Sequence, residues 1–274
     1  MRVTVLGSGS AGNATLVEGA DGVRVLVDAG FSGRDVENRL RAVGVDPASL
    51  AAIFITHEHG DHTRGMGVLA RRFGLALYLT PITRSACSVL LFGHEDVREY
   101  SSAAALRIGS LEVRPFLTVH DAADPVAVTL SDVATGDKLG IATDLGRPTA
   151  TVRAALAGCH VLVLEANHDE AMLWNGPYPW SVKQRIASSH GHLSNRASGQ
   201  LASELYHPGL VSVVLAHLSE HCNDGPLAAD VVGRVLDRAG FAGALAVARQ
   251  AAPLDPIDVP LARLRAAPVQ LSLL

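Results

Sequence analysis

The stretch Thr56-His57-Glu58-His59-Gly60-Asp61-His62 constrains this chain more than any other part of its sequence. It places five ionisable side chains within six positions, directly after the apolar run 51–55. Crowded imidazoles and carboxylates repel one another and lose hydration when buried, unless a cation takes up their lone pairs. Imidazole and carboxylate are ligands of zinc, manganese and iron. The stretch therefore predicts a site for one divalent metal ion or for two.

The other ligands must come from elsewhere, because four candidate ligands cannot complete two metal sites. His57 and His59 are two residues apart at a strand end and can point to the same side. Asp61 and His62 follow a glycine, so the chain can turn and direct them to a second point. Three more metal-compatible residues each follow a predicted strand, and we expect them at the same rim: His120, Asp144 and His217.

Predicted strands and helices follow one another in both halves of the chain. The pattern predicts strands over 3–6, 14–18, 23–28, 53–56, 75–79, 111–116, 126–131, 138–143, 161–165 and 211–216. It predicts helices over 33–43, 64–73, 194–206 and 226–239, and another that opens at Pro81. Two of the strands, 23–28 and 138–143, close on the same Asp-x-Gly sequence.

This order favours two mixed sheets packed face to face with helices outside them. Periodicity alone supports an α/β or α+β fold in a single domain, 1–274. We expect the proline-spaced segment 251–274 to be an irregular C-terminal extension of that domain.

Composition restricts the protein class. With 48% hydrophobic residues and a net charge of −4, the chain has the core of a globular protein and no overall basic footprint for nucleic acid. Bound metal ions and a few arginines could still make a positive cleft on an acidic body.

The three cysteines form no CxxC motif, and neither a signal peptide nor an apolar run of ~18 residues is present. We therefore expect a cytoplasmic protein with reduced thiols and no membrane association.

The motif His57-x-His59-x-Asp61-His62, with the later His120, Asp144 and His217, resembles the metallo-β-lactamase superfamily of dinuclear hydrolases. The finer pattern resembles its YycJ/WalJ-type branch of DNA exonucleases. The finer resemblance is carried over about residues 1–225 by GSGSAGN at 7–13, VDAG at 27–30, HDA at 120–122, ATDLG at 142–146, EANHD at 165–169, GHLSN at 191–195 and AHLS at 216–219.

The resemblance implies a four-layer αββα sandwich with two divalent ions, zinc or manganese, with iron as a further option. It implies one ion on His57, His59 and His120, and the other on Asp61, His62 and His217. Asp144 would bridge the two. The chain departs from the branch pattern at His221-Cys222-Asn223, which leaves these ligands intact but changes what surrounds them.

The implied activity is hydrolysis of phosphodiester bonds, in the form of a 5′-to-3′ exonuclease acting on DNA. Two cations about 3.5–4 Å apart acidify a shared water and stabilise the charge that grows on a phosphoryl group. Attack would come from the metal-bound hydroxide, which Asp61 would orient. His192 would contact the scissile phosphate or protonate the leaving oxygen, and Asn167 and His168 are further candidates for substrate contact.

Other readings of these residues remain open at this point. The same site would suit a small cyclic phosphodiester or a lactone, or a family member that binds a ligand without turnover. His192 would also suit the start of the helix near Ser194. Asp28 is expected to support the ligands, and Asn13 to brace the backbone. His94, His160 and His207 are expected to be structural, and the pattern predicts no oligomeric state.

Overall fold

Residues 1–266, the part of the chain that the computed structural model describes, form two β-sheets between layers of helix. The strands are β1 (Arg2–Gly7), β2 (Ala14–Glu18), β3 (Arg24–Val27), β4 (Ala52–Phe54), β5 (Ala76–Leu79), β6 (Asp96–Glu99), β7 (Leu106–Ile108), β8 (Leu111–Leu117), β9 (Val126–Asp132), β10 (Lys138–Ala142), β11 (Val161–Glu165), β12 (Ser212–Ala216), β13 (Ala244–Val247) and β14 (Ile257–Asp258). The first sheet has the order β14-β1-β2-β3-β4-β5-β6, and the second has the order β13-β12-β11-β10-β9-β8-β7.

Both sheets are mixed. In the first, β3, β4, β5 and β6 run parallel, and in the second β10, β11, β12 and β13 do so. The α-helices are α1 (Gly33–Ala42), α2 (Gly60–Thr63), α3 (Met66–Phe73), α4 (Pro81–Ala86), α5 (Ala150–Leu156), α6 (Glu170–Asn175), α7 (Trp180–Ile186), α8 (Asn195–Glu204), α9 (Gly225–Arg238) and α10 (Val259–Ala266).

Three apolar cores hold these layers together. The core between the sheets contains alternate strand residues such as Phe54 from β4 and Val163 from β11. Their neighbours Ile53 and Leu162 point the other way, into cores that include residues of α1 and α3 or of α5, α8 and α9. Since successive strand residues face opposite sides, burial of both faces requires strands that are almost wholly apolar. The predicted four-layer αββα sandwich is confirmed.

The strands and helices that the sequence pattern predicts are found within two residues of their predicted bounds. The pattern missed β6, β7 and β13, and it missed α2, α5, α6 and α7. The reason is clearest for β6, whose sequence Asp96-Val97-Arg98-Glu99 is largely exposed and has no apolar alternation. Backbone pairing with β5 makes it a strand, and that pairing leaves no signal in the side chains.

The expectation of an irregular C-terminal extension is wrong for residues 257–266. Residues 257–258 pair with Arg2 and Val3 as β14, and residues 259–266 form α10. Val259 is fully buried in the core between the sheets. A two-residue strand is too short to give a period, so only its partner β1 defines it. The rest of the expected extension, 267–274, lies outside the described residues.

Within residues 1–266, no helix has both the length and the apolarity to cross a membrane. The three cysteines, Cys87, Cys159 and Cys222, are buried as free thiols.

Candidate metal centre

The seven residues that the sequence predicts as metal ligands meet where the strands of both sheets end. Their ligand atoms include two groups, each within 4.8 Å: His57 with His59 and His120, and Asp61 with His62 and His217. Asp144 lies against both groups. Its carboxylate oxygens are 3.0 Å from His62 Nε2 and 3.6 Å from His120 Nε2. These two groups have the membership that the resemblance implies, and His57, His62 and Asp144 form a further group that joins them.

Three of the imidazoles are oriented by hydrogen bonds at Nδ1, on the side of the ring that faces away from the centre. His62 Nδ1 lies 2.8 Å from Asp28 Oδ2, and His217 Nδ1 lies 2.8 Å from Glu165 Oε1. His120 Nδ1 lies 3.1 Å from a backbone carbonyl oxygen. Because these acceptors require N–H at Nδ1, each ring in its neutral form presents the lone pair of its Nε2 atom to the centre. This is the orientation of a histidine that binds metal.

His57 provides a test of whether the centre fits a cation. Its ring is buried, and its Nε2 atom has no hydrogen-bond partner anywhere in residues 1–266. Burial lowers the pKa of His57 well below its usual value, and the nearby His62 lowers it further. The ring is therefore neutral. Thr56 Oγ1 donates its proton to Asp28, so the His57 Nδ1 atom beside it carries the N–H, and the lone pair is on Nε2. An unsatisfied buried lone pair costs free energy unless a partner binds. With imidazole and carboxylate donors around it, a divalent metal ion fits this position.

Three residues of the centre have a left-handed backbone, with φ of 61° at Asp28, 57° at Asp144 and 55° at His217. Among the described residues they are the non-glycine positions with positive φ. Such a conformation costs about 1–3 kcal/mol for a non-glycine residue and is concentrated at functional sites. Each residue lies just past the end of β3, β10 or β12, and the turn directs its side chain into the centre. The two copies of the Asp-x-Gly sequence, which begin at Asp28 and Asp144, both form this turn. One follows a strand of the first sheet, and the other follows a strand of the second.

The loop 7–13 joins the two halves of the centre. Asn13 accepts a hydrogen bond from Ser8 Oγ at 2.7 Å, and its side-chain amide lies 3.3 Å from Asp61 Oδ2. Ser8 Oγ in turn accepts a hydrogen bond from the backbone N–H of His217 at 2.8 Å. The loop also requires Gly30 beside it, since a Cβ atom there would collide with the carbonyl oxygen of Asp61.

Glu165 organises the second half of the centre, and sequence reasoning did not single it out. It is 0% exposed, and its Oε1 atom accepts hydrogen bonds from Nδ1 of His192 at 2.7 Å and of His217 at 2.8 Å. Its Oε2 atom accepts from the backbone N–H groups of Leu145 and Leu193. Burial by itself would raise the pKa of Glu165, but the two imidazoles lower it to about 2.

A signal for Glu165 was present in the sequence. It is the last residue of the strand 161–165, whose other members are all apolar, and a fully buried glutamate is rare unless it is paired. Its ligand atom lies within 4.8 Å of those of Asp144, His192 and His217, which is a possible metal geometry. Because both histidines use Nδ1 to donate to Glu165, we interpret this group as a hydrogen-bonded support behind the ligands.

A cleft of about 180 Å³ opens over the ligands. Asn167 and His192, two of the candidates for substrate contact, line it. Asn167 also donates a hydrogen bond from Nδ2 to the carbonyl oxygen of His217 at 3.0 Å. His168 does not line this cleft and lies instead on a neighbouring cavity of about 260 Å³, which shares His192 with it.

The departure at His221-Cys222-Asn223 affects the wall of the cleft. The His221 ring lies 5.7 Å, centroid to centroid, from the ring of Tyr178, which lines the cleft. Cys222 is buried, and its carbonyl oxygen accepts a hydrogen bond from the backbone of Asp169. None of the three residues touches the predicted ligands through a hydrogen bond within residues 1–266.

Similarity to known proteins agrees with this architecture. The family model described as a beta-lactamase superfamily domain matches residues 23–218. The solved structure of the metallo-beta-lactamase fold protein YhfI from Bacillus subtilis has a TM-score of 0.71 at 19% identity, covering 92% of this chain and 98% of that one. Human tRNase Z, short form, has a TM-score of 0.66 at 18% identity, covering 95% and 100%. At these identities the two structures show the fold alone.

Two relatives are similar in sequence along most of their length. The chain is 35% identical over 243 residues to exodeoxyribonuclease YycJ from Bacillus anthracis, which covers 88% of this chain and 91% of that protein. It is 33% identical over 232 residues to exodeoxyribonuclease WalJ from Streptococcus pneumoniae, which covers 83% and 85%. The chain therefore belongs to the metallo-β-lactamase superfamily, in the branch that contains YycJ and WalJ.

Proposed function

We propose that this chain is a metal-dependent exodeoxyribonuclease that removes nucleotides from DNA in the 5′-to-3′ direction. The observation that carries the proposal is the two-part set of ligand atoms around Asp144, in a chain that matches two exodeoxyribonucleases over more than four fifths of its length. The three buried free thiols fit a reducing cytoplasm.

Two divalent ions, zinc or manganese with iron as a further option, are part of the proposal. His57, His59 and His120 would hold one ion, and Asp61, His62 and His217 the other, with Asp144 shared. When bound, the ions would acidify water and stabilise negative charge on the phosphate.

Asp61 has the position to orient the attacking water. Its Oδ2 atom lies 3.2 Å from His217 Nε2. Burial alone would raise the pKa of Asp61, but the neighbouring imidazoles of His217 and His62 lower it well below its usual value. The carboxylate is therefore ionised and can accept a hydrogen bond from water, which aligns the oxygen lone pair with the phosphorus atom.

His192 has the position to act on the phosphate or on the leaving oxygen. Its Nδ1 atom donates to Glu165, so its remaining nitrogen can face the cleft that it lines. A positioned proton donor contributes about 10²–10⁴-fold to such reactions. Asn167 would contact the substrate from the same cleft, and His168 from the adjoining cavity.

The variant His192→Ala is expected to lower kcat on DNA by about 10²–10⁴-fold, because the leaving oxygen loses its proton donor. Metal content per chain, measured by plasma mass spectrometry, should stay at the wild-type value. Normal turnover of the variant at normal metal content would remove His192 from the reaction. Loss of metal from the variant would identify it as a ligand instead.

The activity itself is tested with end-labelled single-stranded DNA and protein purified without chelator. When the DNA is labelled at its 5′ end, the label should be released as mononucleotides from the start of the reaction. When it is labelled at its 3′ end, the label should remain on a series of progressively shorter strands. Chelator should abolish both, and zinc or manganese should restore them. Hydrolysis of a small chromogenic phosphodiester without any trimming of DNA would contradict the proposal, and so would cleavage of circular single-stranded DNA at the same rate.

A further inference from the structure

The chain contains two tryptophans, and they lie side by side on the surface. Trp174 is in α6 and Trp180 begins α7, and their ring centroids are 5.2 Å apart. Trp174 is 42% exposed and Trp180 is 64% exposed. Tryptophan carries the largest apolar surface of any side chain. Core packing does not explain why two tryptophan rings are exposed to solvent here.

These rings continue the surface of the metal centre. Trp174 lines the 260 Å³ cavity together with His168 and His192, and His192 also lines the cleft over the ligands. Tyr178, which lies between Trp174 and Trp180 in the sequence, lines the cleft over the ligands. A ligand can therefore extend from the metal ligands past His192 to Trp174, and then to Trp180.

His168 indicates that the cavity takes a polar ligand. The side chain is only 3% exposed, and its Nδ1 atom has no hydrogen-bond partner in the part of the chain described. A buried polar atom in a native structure is nearly always paired, so this residue in the cavity wall carries one polar atom that lacks its partner. The amide, amino and phosphate groups of a nucleotide can all serve.

The charge of α7 indicates which kind of ligand this surface would bind. Its sequence Trp180-Ser181-Val182-Lys183-Gln184-Arg185-Ile186 has two basic residues and no acidic one, on a chain whose net charge is −4. Arg185 is exposed and lines the cleft, and its guanidinium pairs with the carboxylate of Asp121. Cationic side chains interleaved with exposed aromatic rings are the pattern of a surface for single-stranded nucleic acid.

We propose that Trp174 and Trp180 form a stacking platform for the unpaired bases of a DNA end, and that the cavity beside His168 receives its terminal nucleotide. This inference rests on the proposed exonuclease function and names the form of its substrate. Interior bases of a duplex have both faces covered by their neighbours, so bases beyond the terminal pair can stack on these rings only when the strand is unpaired. The enzyme therefore engages single-stranded DNA, and a duplex must fray before its end reaches the metal centre.

Intrinsic fluorescence tests the platform directly, because Trp174 and Trp180 are the chain's tryptophans. The probe is a 5′-phosphorylated thymidine oligonucleotide with phosphorothioate linkages, which resist hydrolysis, added to the metal-loaded protein. Stacking should quench the tryptophan emission. An oligonucleotide of the same length with abasic sites along its 5′ half should quench far less, although its phosphate charge is the same. A blunt duplex of that length should also quench far less.

Affinity is measured in parallel from the anisotropy of a labelled oligonucleotide. Trp180→Leu and Trp174→Leu should each weaken binding about 5- to 100-fold, as loss of one stacked base does. Trp180→Phe should retain most of the affinity, since an aromatic face remains. Phe92→Leu is the matched control, because Phe92 is 66% exposed and lies outside both cavities, and its affinity should equal that of the wild type.

Trp180 is the more exposed ring, so circular dichroism of Trp180→Leu should confirm an intact fold. Unchanged affinity in a folded Trp180→Leu, or equal quenching by duplex and single strand, would overturn the platform. If wild-type protein trims DNA but its emission does not change, the platform is wrong and the exonuclease proposal stands. If emission is quenched and no DNA is trimmed, the platform stands and the proposed activity is wrong.

Discussion

Asp144→Asn is expected to reduce DNA hydrolysis by more than about 100-fold and to lower the metal content per chain. Asp144 is the carboxylate that lies against both groups of ligands, 3.0 Å from His62 and 3.6 Å from His120. Two neighbouring dications would repel each other, so removing a negative charge between them would weaken the binding of at least one. Loss of a residue behind a ligand costs about 10–100-fold, and loss of a shared ligand should cost more.

Asparagine is chosen because it has nearly the same shape and tolerates the left-handed backbone of Asp144. The variant should therefore fold normally. Asp28→Asn is the matched control. Asp28 has the same residue type and nearly the same φ, but it contacts His62 from behind, at Nδ1. It should lose about 10–100-fold in activity. A loss in Asp144→Asn no larger than that in Asp28→Asn would contradict the bridging role, with kcat/KM and metal content as the measurements.

Glu165→Gln is expected to lower both activity and stability. The carboxylate accepts hydrogen bonds from His192, His217 and three backbone N–H groups. Glutamine would replace one accepting oxygen with an NH₂ group that faces these donors. Disrupting a buried charged pair in this way costs about 3–5 kcal/mol of unfolding free energy. Activity should fall about 10–100-fold, because both imidazoles lose the acceptor that orients them.

Urea unfolding and kcat/KM on single-stranded DNA measure the two effects of Glu165→Gln. Glu37→Gln is the control for loss of a buried glutamate. Glu37 is buried and forms ion pairs with Arg41 and Arg72, whose side chains are more than half exposed. Its loss should cost less than about 1 kcal/mol and leave activity unchanged. Normal activity of Glu165→Gln would show that His192 and His217 hold their positions without it.

The sequence predicted the fold where side chains carry the pattern. Strands such as 161–165 are buried on both faces, so they appear as apolar runs with helices between them. The pattern failed at β6, where backbone pairing with β5 alone makes the strand, and at β14, where a two-residue pairing with β1 does so. In both places a neighbour distant in sequence supplies the hydrogen bonds.

The chemistry of the centre was determined by the sequence itself. Imidazole and carboxylate groups are suitable ligands for divalent metals in any fold, and the spacing of residues 57–62 brings four of them to one turn. The tertiary structure decided which nitrogen of each ring faces inward, because the acceptors that fix His62 and His217 lie 34 and 52 residues away in the chain. It also decided the role of Glu165, which becomes a support only when the segments that follow β10 and β12 and the segment that precedes α8 bring their donors to it. Residue type is a local property, whereas a hydrogen-bonded position depends on every element that packs around it.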